Sequence, residues 1–232
     1  MTTPAKQRKK TCYGEIRSAV LTGAMSPGSD LDETTLSEKF ELSRTSFREV
    51  VSQLAGEGYL ELRSNRGARV SEISPKAMRD FFLTAPMVYR AVLRLAVRHA
   101  TKPKVAKLKQ TQEAFKSALR SGTLSDRALA NNQFHETAGK MAGNVYLLSA
   151  FNRLLIDHTR ISMGLHRSQD DHLAKYLSQT SAQNDAIIAA IEAGDEEEAD
   201  QLAVRYWNFS RDQIERFFMP PELSIPLGTI TR

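Results

Sequence analysis

The chain has 232 residues, 41% hydrophobic and 25% charged, which suits a globular protein of two modest domains or one larger domain. No apolar run approaches the roughly 18 residues that a membrane helix needs, so we expect a cytoplasmic protein. The net charge of +5 suits an anionic partner without identifying one, and the single cysteine excludes an intrachain disulfide.

The N-terminal segment is basic. Residues 1–10 carry four basic and no acidic side chains, which predicts a disordered arm that lies near nucleic acid or only adds solubility. Residues 11–22 follow with apolar side chains at helical spacing, and Gly23 is a stop signal. We therefore predict that helical structure begins near residue 11.

Two short helices with recognisable caps are predicted next. "DETTLSEKF" begins with Asp32 as N-cap and turns Leu36 and Phe40 inward. The third helix has Ser43 as its N-cap, worth about 1 kcal/mol, and Gly58 at its end. Its predicted apolar face consists of Phe47, Val50, Val51 and Leu54.

The pattern then changes from helical to alternating. "YLELR" and "ARVSEI" flank the turn "SNRG", which predicts two strands joined by a tight turn with Gly67 at positive φ. Three short helices and a hairpin are typical of a winged helix-turn-helix, which places its third helix in the major groove of DNA. We therefore predict a DNA-binding domain over residues 11–73.

Residues 74–218 show no strand pattern. Ser74 and Pro75 resemble a cap followed by proline at the first helical position, and Pro86 is expected to kink or break the long helix that follows. Further helices are predicted over 103–120, 125–142, 144–164, 171–194 and 196–218. The tail, 219–232, carries three prolines and is predicted to be extended or disordered. The predicted fold class is mainly α: a winged helix-turn-helix followed by an all-α bundle of six or seven helices.

The order of three segments resembles the DNA-binding half of GntR-family bacterial transcription regulators. These segments are "GAMSPGSDL", "LSEKFELSRTSFREV" and "GYLELRSNRGARV". The helical remainder resembles the ligand-binding FCD domain of the FadR subfamily, through "FH" at Phe134 and His135, "AGN" ending at Asn144, and "AIIAAIEAGDEEEA". The resemblance implies a DNA-binding half followed by an effector-binding and oligomerisation half.

Two arginines are the main candidates for reading DNA. Arg44 and Arg48 lie one turn apart near the start of the third helix, where each guanidinium matches the acceptors of guanine at about 1–3 kcal/mol per bidentate contact. The alternative is that Arg48 pairs with Glu49 or Glu57 on a solvated face. Small hydroxyl groups at the start of the third helix can bind phosphate, which makes Ser43, Thr45 and Ser46 further candidates. The resemblance adds Thr34, Arg66 and Gly67. For the hydroxyl groups, the alternative is plain helix capping.

The resemblance also implies a metal site that this chain has altered. Many FCD domains hold a divalent metal with one aspartate and three histidines, and the matching positions here are Asn131, His135, Asn184 and Tyr206. Only His135 remains a good zinc ligand, whereas tight binding needs about three, so we expect no tightly bound metal. A weak, oxygen-rich site at His135 is left open. We predict instead that the four groups bind a small organic effector; the alternative is that they satisfy one another or water.

Arginine recurs every four residues at Arg90, Arg94 and Arg98. We predict that this basic stripe is solvated or lies near DNA or a partner subunit, rather than binding an anionic effector. Relatives often carry an arginine and a glutamate where Thr84 and Val88 align, so a common anion contact is absent.

We therefore predict a homo-oligomeric regulator, dimer or tetramer, that represses a catabolic operon. It binds a palindromic operator and is released by a small organic metabolite. One alternative keeps DNA binding but makes the helical domain a module that only oligomerises. An enzyme using His135 as general base is the remote alternative, because no nucleophile, carboxylate pair or phosphate loop stands at suitable spacing.

Overall fold

The computed structural model describes residues 4–64, 67–165 and 171–218. The chain forms two compact units, Met1–Ile73 and Ser74–Arg232. Two predictions, for Arg66 and for the tail at 219–232, lie outside the described residues. No helix within the described residues is long and apolar enough to cross a membrane.

The first unit has the predicted winged helix-turn-helix elements. They are α1 (Pro4–Thr22), α2 (Glu33–Lys39), α3 (Arg44–Glu57), β1 (Leu60–Arg63) and β2 (Gly67–Val70). The two strands pair antiparallel, with Leu60 opposite Val70 and Arg63 opposite Gly67.

The first helix is longer than predicted. It begins at Pro4, so the prediction of a disordered arm over residues 1–10 is wrong for residues 4–10. Proline suits the first turn of a helix, and two basic side chains find distant partners. Arg8 Nη1 lies 2.9 Å from Glu41 Oε2, and Lys9 pairs with Glu49. These ion pairs hold the basic segment against the rest of the unit.

The predicted caps and the apolar face of α3 are confirmed. Asp32 accepts a hydrogen bond from the backbone N–H of Thr35, and Ser43 accepts one from that of Ser46. Gly58 ends α3 with a φ of 94°. The side chains that α3 buries are Phe47, Val50, Val51 and Leu54. Burial of this face fixes which side of α3 is left exposed.

Within the described residues the second unit forms six helices, where six or seven were predicted. They are α4 (Pro75–Arg98), α5 (Lys102–Ser121), α6 (Leu124–Met141), α7 (Val145–Leu165), α8 (Asp171–Ala193) and α9 (Glu196–Phe218). The expected cap at Ser74, with Pro75 at the first helical position, is present. The helix is continuous through Pro86, so the expected break does not occur. Packing of α4 against its neighbours outweighs the one backbone hydrogen bond that proline removes.

The basic stripe of α4 packs against α9. Arg90 makes a bidentate contact to Asp200, with its shortest nitrogen to oxygen distance 2.7 Å. Arg98 Nε lies 2.7 Å from Glu196, and Arg94 is 3.7 Å from the same carboxylate. These hydrogen bonds lower the pKa of both carboxyl groups. All three arginines stay exposed, as predicted for a solvated stripe, and Asp200 and Glu196 of α9 offset part of its charge within the unit.

Candidate DNA-binding surface and interior site

The start of α3 presents two exposed arginines. Arg44 and Arg48 line a surface groove of about 430 Å³ between α2 and α3, and Thr34 lines the same groove. The buried Phe47 lies at the floor of this groove, and both guanidinium groups are exposed above it. The structure thus brings together three of the predicted DNA-contact residues.

No carboxylate among the described residues pairs with Arg44 or Arg48, although Glu33 and Glu38 line the same groove. The two carboxylates considered as partners of Arg48 are engaged elsewhere: Glu49 pairs with Lys9, and Glu57 accepts hydrogen bonds from Tyr13 and Gln53. Both guanidinium groups are therefore available to an external anion or base.

The hydroxyl candidates differ in their roles. Ser43 Oγ accepts the capping hydrogen bond from the backbone N–H of Ser46 at 3.2 Å, so capping is part of its function. Its hydroxyl proton, like that of the exposed Thr45, can still be donated to a phosphate. Gly67 lies opposite Arg63 at the turn end of the wing, with a φ of 71°. A Cβ at Gly67 would lie 2.7 Å from Glu33 Oε1, so the wing begins next to the α2 end of the groove.

The four interior positions converge in the helical unit, from α6, α8 and α9. Asn184 Nδ2 donates to Asn131 Oδ1 at 3.1 Å, and the rings of His135 and Tyr206 are 4.8 Å apart between centroids. Asn131 is half-buried, and the other three side chains are buried. The four positions that the resemblance implies therefore lie close together in one cluster.

Sequence reasoning missed several members of this cluster. Tyr89 Oη lies 2.8 Å from His135 Nδ1, and His158 Nε2 lies 3.3 Å from Ser210 Oγ and 3.5 Å from Tyr206 Oη. Tyr89 belongs to the helical row of buried residues on α4, a signal that the sequence contained. Thr84, which the resemblance aligns with an arginine of the relatives, is exposed here.

Three buried polar atoms of this cluster have no hydrogen-bond partner among the described residues: His135 Nε2, Asn184 Oδ1 and Trp207 Nε1. Burial first, and then the charge of His158, lower the pKa of His135 well below 6.5, so its imidazole is neutral. A Tyr89 hydroxyl that donates to Nδ1 leaves the imidazole proton on Nε2; we assign this tautomer because it gives the buried hydroxyl proton an acceptor. Such unsatisfied atoms call for a ligand or water.

A small cavity adjoins the cluster at Asn131 and His158. Its volume is about 20 Å³, and its lining includes Arg127, Asn131, His158 and Ser162. That volume accommodates one water molecule, whereas metabolite pockets have roughly 300–1,000 Å³. A metabolite would therefore have to move the surrounding helices apart.

The metal that the resemblance implies does not fit this cluster. Burial raises the pKa of Tyr206 well above 10, and a side-chain hydrogen bond from Asn131 only partly offsets that rise, so the phenol stays protonated. The Asn131 carbonyl oxygen is already occupied by Asn184. His158 adds a second imidazole, but the described residues contain no group of three histidine, cysteine, aspartate or glutamate side chains that could hold a metal.

Comparisons with known proteins agree with this division into two halves. The sequence model of the FCD domain matches residues 87–209, and that of the bacterial regulatory proteins of the gntR family matches residues 8–70. The probable D-xylose utilization operon transcriptional repressor of Paenarthrobacter nicotinovorans is 28% identical over 88% of this chain and 86% of its own length. The gluconate operon transcriptional repressor of Bacillus subtilis is 25% identical over 65% of this chain and 64% of its own.

A solved structure shares the fold. McbR/YncC of E. coli superposes with a TM-score of 0.76, covering 94% of this chain and all of that structure, at 17% sequence identity. At that identity the likeness concerns the fold alone.

Proposed function

Because the chain belongs to the GntR family of bacterial regulatory proteins and carries an FCD domain, we propose that it represses a catabolic operon and is released by a small organic metabolite. As a member of that family it is a DNA-binding transcription regulator and not an enzyme. The predicted family is thus confirmed, whereas the effector and the operator are proposals.

The observation that carries the DNA-binding part is the pair of exposed guanidinium groups at the start of α3, which make no ion pair within the described residues. Arg44 and Arg48 read the bases in the major groove of DNA. The hydroxyl groups near the phosphates are those of Thr34, Ser43, Thr45 and Ser46. The wing at Gly67 lies beside the adjacent groove of the DNA. A palindromic operator read by a homo-oligomer would use two copies of this surface, because symmetric half-sites match a symmetric protein. The names of two relatives, both operon repressors, support repression.

The effector part rests on the unsatisfied atoms of the interior cluster. A metabolite that hydrogen-bonds to His135 and Trp207 would bind an opened state of the helical unit more tightly than the closed one. Such a preference changes operator affinity through a coupling free energy of typically 1–3 kcal/mol.

The small cavity favours a second candidate, in which the helical unit only oligomerises. Asn131 and Asn184 already satisfy part of each other's hydrogen-bonding capacity. A thermal-shift screen of metabolites, repeated as operator titrations, separates the two. Ligands that raise the melting temperature and weaken operator binding support the effector role, and their complete absence supports oligomerisation alone.

The DNA-binding role is tested on the DNA upstream of the protein's own gene. Arg44→Ala and Arg48→Ala should each remove specific binding in fluorescence anisotropy at fixed salt, while weak nonspecific binding persists. Arg120→Ala, an exposed arginine of α5, changes net charge equally and should leave binding intact. Specific binding retained by both α3 variants would disprove the assignment, and footprinting would show whether the protected site is symmetric.

A further inference from the structure

Basic side chains cluster in the first turns of α1. Residues 6–10 carry four basic side chains and no acidic one. Two of these, Arg8 and Lys9, pair with carboxylates of the same unit. The other two, Lys6 and Lys10, are exposed, and neither makes an ion pair within the part of the chain that the structure describes. Two positive charges are therefore available to an external partner.

The start of α1 lies beside the start of α3. Lys9 pairs with Glu49, and one turn further along α1 the hydroxyl of Tyr13 donates to Glu57 Oε2 at 2.5 Å. The two contacts advance along both helices together, so α1 and α3 run in the same direction. Counting back from Lys9 and Glu49 at about 1.5 Å per residue brings the first turns of both helices together. The basic segment of α1 thus adjoins the end of α3 that carries the two exposed arginines.

Lys6 and Lys10 lie on the side of α1 that faces the same way as those arginines. At about 100° per residue, both lysines fall on one side of the row formed by Lys9 and Tyr13, and the buried Cys12 falls on the other. On α3 the buried residues and the exposed arginines likewise lie on opposite sides of the row that contacts α1. Because the two helices bury their core sides together, their opposite sides face one region of solvent.

The paired residues favour an approach of DNA to this side of α1. Arg8 Nη1 lies 2.9 Å from Glu41 Oε2, and Lys9 offsets the charge of Glu49. Both carboxylates would otherwise repel phosphate groups. DNA carries one negative charge per roughly 1.7 Å of its axis, and lysine binds phosphate as a compact point charge. The charge of the segment is therefore complementary to a DNA backbone that lies against the start of α3.

We propose that Lys6 and Lys10 bind the phosphate backbone of DNA beside the groove that α3 enters, so that α1 provides a further contact surface of the DNA-binding unit. This inference rests on the proposed DNA-binding function and extends its interface to a helix outside the recognition helix and the wing. Phosphate contacts carry no sequence information, so the two lysines add affinity to every DNA sequence and leave the choice of operator to α3.

The test compares two duplexes: the DNA upstream of the protein's own gene, and a scrambled duplex of equal length and composition. Fluorescence anisotropy measures their binding to full-length Lys6→Gln/Lys10→Gln over a series of sodium chloride concentrations. The affinity for both duplexes should fall by the same factor, at least about tenfold at low salt. The plot of log affinity against log salt should become shallower by about one for each lysine of a bound protomer. Lys6→Arg/Lys10→Arg keeps both charges and should bind like the wild type.

The matched control is Lys102→Gln/Lys107→Gln, which removes the same charge from two exposed lysines of α5 and should leave both affinities unchanged. Circular dichroism checks folding. If the double variant of α1 does not fold, the single variants replace it, each with about half of the change in salt slope. An unchanged salt slope, an equal loss in the α5 control, or a loss confined to the upstream duplex would each overturn the proposal.

Arg44→Ala separates this inference from the proposed function. If that variant loses the preference for the upstream duplex while the α1 double variant binds both duplexes like the wild type, the proposed function stands and the α1 contact fails. If the wild type shows no preference for the upstream duplex, the proposed operator recognition at that DNA fails. The salt slopes on the scrambled duplex then still decide whether Lys6 and Lys10 bind phosphate.

Discussion

The hydroxyl of Tyr89 lies 2.8 Å from Nδ1 of His135, and this contact joins α4 to α6 in the buried centre of the helical unit. The ring of Tyr89 also stacks on Phe151 of α7, with 5.3 Å between centroids. One residue of α4 thus contacts both α6 and α7 at the candidate effector site, and its hydroxyl supports the tautomer assigned to His135.

Tyr89→Phe should lower the free energy of unfolding of the helical unit by about 1–2 kcal/mol, because it leaves Nδ1 of His135 buried without a partner. Urea unfolding followed by Trp207 fluorescence measures the change. Tyr146→Phe is the matched control, since Tyr146 is 86% exposed and its hydroxyl should contribute nothing measurable. Equal stability of the two variants would contradict the role assigned to the Tyr89 hydroxyl.

The stability of the helical unit should fall as the pH drops below about 6.5. The pKa of His135 is lowered in the folded state, chiefly by burial, so only the unfolded state takes up the proton between about pH 6.5 and the folded pKa. This uptake costs up to about 1.4 kcal/mol per pH unit for one proton. His135→Asn should flatten the dependence between pH 6.5 and 5. An unchanged slope in His135→Asn would refute the assignment.

The altered metal site should be restorable. Asn131→Asp, Asn184→His and Tyr206→His together recreate the aspartate and three histidines that the resemblance describes, on positions that converge around His135. The triple variant should bind zinc stoichiometrically and lose it to a chelator, with a rise in melting temperature on adding zinc. Elemental analysis is the measurement, and His135→Ala in the triple background is the control. Stoichiometric zinc in the purified wild type would show that the native cluster had been misread.

Gly67→Ala should weaken operator binding and destabilise the DNA-binding unit by about 1 kcal/mol, because alanine is strained at a φ of 71°. Gly14→Ala provides a control of opposite sign. Gly14 is exposed within α1, and a Cβ there would meet nothing within 4 Å. That change should stabilise the unit by about 0.5–1 kcal/mol through helix propensity. Thermal unfolding by circular dichroism compares the two, and a Gly67→Ala variant as stable as wild type would rule out the strain.

The sequence by itself determined the features that depend on neighbouring residues. Caps at Asp32, Ser43 and Ser74 and the positive φ of Gly67 follow from the chemistry of a few adjacent positions, and the structure contains each of them. The helical row of apolar residues likewise defined the buried face of α3. The spacing of the four interior positions also carried over, because a helical bundle preserves the register of its helices.

Only the tertiary structure decided the features that depend on residues far apart in the chain. Residues 4–10 are helical where disorder was predicted, and Arg8 there meets Glu41, 33 positions away. Arg90 meets Asp200 across 110 positions, so α9 offsets part of the charge of a stripe that is exposed to solvent. The contact between Tyr89 and His135 also depends on residues far apart in the chain. So does the cavity volume of about 20 Å³, at a site where a larger pocket was expected. Charge neutralisation and cavity volume result from the packing of several helices at once, and the local pattern of any one helix does not contain them.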